Sequence, residues 1–268
     1  MSPSSSSLTR AQAARIRDLF RKRRARQTEG AFIVEGASAV RDVLLTHPTH
    51  IQQLVVSARY GQREQDRDRF VRESARSPTY TCSDSLFDTL SELEAPQGIL
   101  AVVRQPRWNE RDLFVQPVVF GLYGEDIQDP INVGAIIRTA AALNVSALWL
   151  TSESADMYNP KVVRGTSGAL LSLPIFTAND GTRFIEEHCS IFAAEAQNRG
   201  AVPMETIERV PSRLILAVGN ESRGLSARTL KQASRRFRIP LARRIESLNV
   251  AATAAIALFY LGRLPKTS

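Results

Sequence analysis

The sequence predicts an α/β protein with a parallel sheet in its C-terminal half. Two observations carry that reading. Four short apolar runs, PVVFGLY, ALWLT, IFAAE and LILAVG, alternate with helical segments after Pro117, as expected for parallel strands covered on both faces. A smaller set of strand-like and helix-like pieces precedes them, ending in a charged, proline-containing stretch.

Element by element, a Ser-rich start (residues 1–8) reads as a disordered tail. A basic helix begins near Thr9 and runs through Arg26, with eight basic residues and one acid, Asp18, between Arg10 and Arg26. Strand-like AFIVEG, a helix over Ala37–Leu45, strand-like IQQLVV, a helix around Glu64–Ala75, TYTCS and the helix SDSLFDTLSEL follow. Ser83 is placed to cap that last helix. GILAVVRQP closes this first α/β domain, residues 9–104. RWNERDLFVQP reads as a linker within 105–116, and 117–268 as the second domain. Asn159-Pro160 supplies an N-cap and a first-turn proline for PKVVRGTSGALL. The final helix is expected from Ser247 to about Arg263, with Ser247 as its cap. Because it is apolar nearly all round, it belongs in a core or at a subunit interface.

Composition narrows the function classes. With 268 residues, 43% hydrophobic and 23% charged, the chain has the make-up of a globular protein. A net charge of +8 and a pI near 10.1 point to a polyanionic partner. Lysine occurs only at Lys22, Lys161, Lys231 and Lys266, so the basic character is arginine. Guanidinium suits bidentate phosphate contact, although GC-rich codon usage accounts equally well for the ratio. Cys82 and Cys189 stand far apart and suggest neither zinc nor a disulfide. His47, His50 and His188 fall outside the polar segments, so no histidine triad or metal site is expected. The opening MSPSSSSLTR lacks the apolar core of a signal peptide. The apolar stretch Leu248–Leu261 is too short to span a bilayer. A cytoplasmic protein without membrane or metal is the expectation.

Three polar segments set among apolar runs carry the chemistry. They are Asn132-Val133-Gly134 with Arg138 in DPINVGAIIRTAAAL, Gly219-Asn220-Glu221 in LILAVGNESRGLS, and Ser247-Leu248-Asn249 in IPLARRIESLNVAATAAIALF. Buried polar groups are costly unless satisfied, so their clustering at element ends suggests a built site. Asn132 is read as lying one position before its helix, where asparagine ordinarily caps. Glu221 is the single acid among nine basic residues between Arg213 and Arg244, which favours a specific partner for its carboxylate. GLYGED is not a dinucleotide fingerprint, and no P-loop occurs.

The order and spacing of these segments resemble the three motifs of the SpoU (TrmH-like) RNA 2'-O-ribose methyltransferases of the SPOUT superfamily, over roughly residues 117–262. The resemblance implies S-adenosylmethionine as cofactor, held by main-chain groups of Gly219, Ile239 and Leu248 together with Asn249. Taken alone, Gly219, Ile239 and Leu248 read more readily as structural: a glycine turn, a strand residue and a helix-opening leucine. It further implies a catalytic set of Asn132, Arg138, Glu221, Ser247 and Asn249, a trefoil knot in the C-terminal domain, and a homodimer. Arg138 is either the base for the ribose hydroxyl or a clamp for the neighbouring phosphate.

RKRRARQTEGAFIVEGASAVRDVL is similar to the start of the ribosomal-protein-like substrate domain of rRNA-directed members. It makes Arg21, Lys22, Arg23, Arg24 and Arg26 candidate RNA contacts, and Arg164 on the later helix joins them. Large-subunit rRNA is the substrate the resemblance favours. The alternatives are tRNA and a non-catalytic RNA-binding protein on the same fold; an oxidoreductase is disfavoured by the missing glycine fingerprint.

Overall fold

The structure is a computed structural model describing residues 6–63, 78–196, 200–242 and 246–267. It forms two compact units, one of the chain up to Pro106 with Asp156–Leu171, the other of Arg107–Ala155 with the chain from Ser172 on. The segment Asp156–Leu171, which the sequence grouped with the second domain, thus packs in the first unit. The helix expected around Glu64–Ala75 lies outside the described residues.

The first unit is built on a mixed five-stranded sheet. Its order is Ser6–Ser7, Thr79–Cys82, Ile51–Ser57, Ile99–Arg104, Ala31–Glu35. The helix Arg10–Arg21 opens on Thr9 with a capping box shared with Gln12 and buries Ala13, Ile16, Leu19 and Phe20. The expected single basic helix is in fact two. Lys22 takes an extended conformation, and a second helix covers Arg23–Glu29 before Gly30 ends it in the left-handed region at φ 57°.

The break has a structural use. It turns Arg26 back so that its Nη1 donates to the carbonyls of Leu19 and Phe20 at 2.7 and 2.8 Å. Those carbonyls lie in the last turn of the first helix, where acceptors lack helical partners. The same guanidinium pairs with Asp156 at 2.7 Å. Arg26 is 3% exposed, so it cannot serve as the RNA contact expected of it. It ties the segment beginning at Asp156 into this unit, where Phe32 and Tyr158 also meet at 5.1 Å between ring centroids.

The second unit carries a seven-stranded sheet with every pairing parallel. Its order is Val202–Pro203, Arg235–Arg238, Ser190–Ala194, Arg213–Val218, Val119–Gly124, Ala147–Leu150, Ile175–Thr177. The four apolar runs read from the sequence are the four adjacent inner strands. The three peripheral strands are short or, in Arg235–Arg238, mostly basic with only Phe237 fully buried, so apolar patterning does not reveal them.

The expected linker is also more ordered than its charge suggests. Asn109 caps a helix over Glu110–Phe114. Phe114 stacks on Trp149 at 5.8 Å, and Trp149 Nε1 donates to Glu110 at 2.6 Å.

Two helix starts differ from expectation, and both bear on the site. The helix Pro130–Ala142 is capped by Asp129, whose side chain accepts from Ile131 N at 2.9 Å. Asn132 is therefore inside the first turn, and its side chain is free for other work. The last helix runs Val250–Arg263 and its cap is Asn249, not Ser247. Asn249 Oδ1 accepts from the amides of Ala251 and Ala252 at 2.9 and 3.3 Å. An asparagine with two free amides ahead outcompetes the exposed serine two residues earlier.

Candidate active site

The site gathers where parallel strands end. In open α/β sheets the crevice beyond the carboxyl ends of the strands is where ligands bind. Here the loops after Val119–Gly124, Arg213–Val218, Ser190–Ala194 and Arg235–Arg238 all leave from those ends.

The loop after Gly124 is set by buried hydroxyls. Thr151 Oγ1 accepts from Asp126 N at 2.8 Å and Ser154 Oγ from Ile127 N at 3.1 Å. This holds Asp126 at a positive φ of 57°. The loop after Val218 is organised by Asn220, a buried residue. Its Oδ1 accepts from Ser222 N and Arg223 N at 2.9 and 3.0 Å, and its Nδ2 donates to the Asp126 carbonyl at 2.9 Å. Arg223 adds an ion pair to Asp126. Gly219 is required by space: a Cβ there would collide with the backbone of Gly224 and Leu225. The sequence marked Gly219 and Glu221 but gave Asn220 between them no role, and Asp126, Thr151 and Ser154 carried no signal beyond their polarity.

Asn132, Glu221 and Asn249 meet in one hydrogen-bonded chain. Asn132 Nδ2 donates to Glu221 Oε1 at 2.8 Å, and Asn249 Nδ2 donates to Asn132 Oδ1 at 2.9 Å. The amide orientations follow from chemistry. An ionised carboxylate only accepts, so Asn132 must turn its NH₂ toward Glu221. Its oxygen then faces Asn249, whose own oxygen is committed to the helix cap.

Glu221 also accepts from Gln128 N and Asp129 N at 3.4 and 3.3 Å. Partial burial pushes its pKa up, but the hydrogen bonds from Asn132 and the backbone outweigh this and hold it below the usual carboxylate range.

Beside this chain opens a cavity of about 950 Å³, lined by Ala194–Ala196, Val218–Leu225, Ile239, Leu241 and the segment from Glu246 to Val250. That volume is in the range of small-molecule sites, roughly 300–1,000 Å³. Gly219, Glu221, Ile239, Ser247, Leu248 and Asn249 all contribute to its wall. Arg138 does not join the hydrogen-bonded chain. Six residues past Asn132 turns it about 240° around the helix, onto the exposed side, and no hydrogen bond or ion pair engages it among the described residues. In the first unit, Arg21, Lys22, Arg23, Arg24 and Arg164 are exposed, with Lys22 paired to Asp18 at 2.8 Å.

No group of three or more His, Cys, Asp or Glu side chains able to hold a metal occurs among the described residues. No helix among them is long and apolar enough to cross a membrane.

Comparison with known proteins agrees with this layout. A family model described as the SpoU rRNA Methylase family matches residues 120–259, and one described as an MRM3-like substrate binding domain matches residues 13–101. The chain is 30% identical over 240 residues to the 23S rRNA (guanosine(2553)-2'-O)-methyltransferase RlmP of Bacillus subtilis, covering 88% of this chain and 90% of that one. It is 29% identical over 251 residues to the 23S rRNA (uridine(2479)-2'-O)-methyltransferase of Streptomyces viridochromogenes, covering 90% and 85%. Among solved structures, the SpoU methyltransferase AviRb from Streptomyces viridochromogenes in complex with AdoMet superposes with a TM-score of 0.81 at 26% identity, covering 95% and 98%. The AdoMet-bound rRNA methyltransferase from Sinorhizobium meliloti gives 0.78 at 29% identity, covering 95% of each chain. With its catalytic half, its N-terminal half and its parallel sheet all matched, the chain belongs to the SpoU rRNA methylase family.

Proposed function

We propose that this chain methylates a ribose 2'-hydroxyl of RNA, using S-adenosylmethionine, and that its substrate is large-subunit rRNA. The observation that carries the reading is the Asn132–Glu221–Asn249 chain at the wall of a cavity beyond the strand ends. The cavity fits the cofactor on its own terms: at about 950 Å³ it has room for a molecule of that size, and Gly219, Ile239 and Leu248 all line it. Gly219, Ile239 and Leu248 would hold it through the backbone. The bound cofactor supplies an electrophilic methyl group on a sulfonium.

The remaining work is positioning and proton handling by the chain's own residues. Asn249 fixes the start of the last helix and, through Asn132, the orientation of Glu221. Glu221 in turn gathers the amides of Gln128 and Asp129, locking two site loops together. Ser247 offers a hydroxyl at the cavity rim. Arg138, exposed and unengaged among the described residues, is available to the incoming RNA, either at the 2'-hydroxyl proton or at the adjacent phosphate.

RNA docks on Arg21–Arg24 and Arg164, all carried by the first unit, with residues 9–104 as the substrate-binding domain, joined by the segment Asp156–Leu171, and the rest of 117–268 as the catalytic one. A homodimer is supported by Ile131, Ile256 and Phe259, which stand 71%, 40% and 49% exposed on two adjoining helices. Large exposed apolar side chains on neighbouring helices are surface that a second copy would bury. A trefoil knot and a cytoplasmic location complete the reading.

The test is methyl transfer from labelled S-adenosylmethionine to protein-free large-subunit rRNA, followed by alkaline hydrolysis. A 2'-O-methyl group leaves one linkage resistant. Label found on a base, or only on tRNA, would overturn the assignment.

A further inference from the structure

We infer that Arg223 is a substrate-binding residue, whose guanidinium takes a backbone phosphate of the RNA beside the target nucleotide while Asp126 holds it in place. This rests on the reading of the second unit as an RNA ribose methyltransferase, although Arg223 is not among the residues that reading names. Arg223 and Asp126 belong to the two loops that Glu221 draws together, residues 219–226 and 124–129. Between them these loops hold four acids, Glu125, Asp126, Asp129 and Glu221, and a single base, Arg223. The chain as a whole carries +8, so the charge of these loops runs against that of the protein. A polyanion brought to the Asn132–Glu221–Asn249 chain meets that local negative charge.

The four acids are not equivalent. Three answer to backbone amides: Glu125 accepts from Ser226 N at 2.9 Å, Asp129 from Ile131 N at 2.9 Å, and Glu221 from Gln128 N and Asp129 N. Asp126 alone is met by a cation. Its Oδ2 pairs with Arg223 Nη2 and its Oδ1 accepts from Gln128 Nε2 at 3.2 Å. Its amide and carbonyl are committed as well, to Thr151 Oγ1 and Asn220 Nδ2. A residue held at φ 57° with every polar group engaged is over-determined by its surroundings, as at sites where a side chain must stand in one place.

Arg223 is fixed at one end only. Its amide donates to Asn220 Oδ1 and its Nη2 meets Asp126, but no other hydrogen bond of its side chain occurs among the described residues. The Arg223 side chain is 71% exposed against 18% for Asp126. It therefore stands at the rim of the cavity it lines, on the solvent side from which RNA arrives. An exposed ion pair contributes little to stability, so folding does not account for this one. A guanidinium has five N–H donors, and anchoring one of them on a fixed carboxylate orients the rest of the fork. That fork matches phosphate oxygens bidentately.

Steady-state methyl transfer from labelled S-adenosylmethionine to protein-free large-subunit rRNA tests this. Arg223→Ala should raise KM for the rRNA about tenfold, as for a lost charge-assisted contact, while kcat changes far less. The dependence of kcat/KM on salt should flatten by about one phosphate contact. Arg223→Lys, which keeps the charge and loses the fork, should fall between. Melting temperature and calorimetric affinity for S-adenosylhomocysteine should change little; weakened binding of that compound would overturn the assignment by placing Arg223 on the cofactor. An Asp126→Asn background separates a phosphate contact from a counter-charge. Asparagine tolerates the left-handed conformation and keeps an acceptor oxygen, but carries no charge. There, too, Arg223→Ala should raise KM by a similar factor. Disappearance of its effect in that background would overturn the inference, because Arg223 would then only cancel Asp126. Unchanged KM and salt dependence in Arg223→Ala would overturn it as well. Absence of transfer to rRNA by the wild type would instead bring down the functional reading, and this inference with it.

Discussion

Asn132 Nδ2 and Glu221 Oε1 lie 2.8 Å apart although 89 positions separate them in sequence. Asn249, 117 positions from Asn132, closes the same chain on it. One side-chain amide thereby joins the helix Pro130–Ala142, the loop after the strand Arg213–Val218 and the cap of the last helix. The site is held by a relay in which each amide has one available orientation.

Replacing the middle of that relay should be costly. Asn132→Ala leaves Glu221 without its best donor and Asn249 without its acceptor, at about 1–3 kcal/mol. We expect lowered stability in urea denaturation together with loss of methyl transfer. Asn132→Asp should be worse for activity, because it sets a second carboxylate against Glu221.

Glu221 gives the pH dependence. Its pKa is depressed below the ordinary 4.5, so its contribution to stability is present above that value and lost as pH falls through the lower, folded-state value. Melting temperatures of wild type and Glu221→Gln should therefore differ near neutrality and converge toward acid pH. A constant gap would show that the charge on Glu221 is not what holds the loops.

Arg138 makes no contact that a substitution would break among the described residues. Arg138→Ala should leave the melting temperature and cofactor affinity unchanged while lowering methyl transfer by several orders of magnitude. Arg138→Lys separates the two roles, since lysine keeps charge but loses the planar fork. Substantial activity in the lysine variant supports a phosphate clamp by charge. Near-normal turnover in Arg138→Ala would remove it from the catalytic set.

Gly219→Ala should abolish cofactor binding in calorimetry. Because the new Cβ meets the Gly224–Leu225 backbone, the loop must move, and a lowered melting temperature is expected as well. Retained affinity would show that the cofactor does not depend on this loop.

The basic residues of the first unit should divide into two kinds. Reversing charge at Arg21, Arg23 and Arg24 should weaken RNA binding and flatten its dependence on salt, since fewer counterions are released. Arg26→Ala should act on folding, because it strands Asp156 and two helix-end carbonyls; losing one partner of a buried ion pair costs about 3–5 kcal/mol. Equilibrium denaturation distinguishes the two.

The sequence by itself determined the α/β class, the four inner strands, most helix starts and the three polar segments whose Asn132, Glu221 and Asn249 meet in the fold. Each of these is written in local patterning: apolar runs of strand length, capping residues at Thr9, Ser83 and Asn159, and spacing that resembles a family's motifs. What only tertiary structure decided concerns where side chains go once distant segments meet. Asn132 lost its expected cap to Asp129, and Asn249 took the cap expected of Ser247. Arg26 left the basic surface because the break at Lys22 turned it onto the carbonyls of Leu19 and Phe20. The strand Arg235–Arg238 formed from basic residues because its backbone pairs with Ser190–Ala194, whatever its side chains prefer. The physical reason is common to all three: a polar side chain's partner is chosen by whichever unsatisfied donor or acceptor the fold brings within reach, and sequence distance carries no information about that.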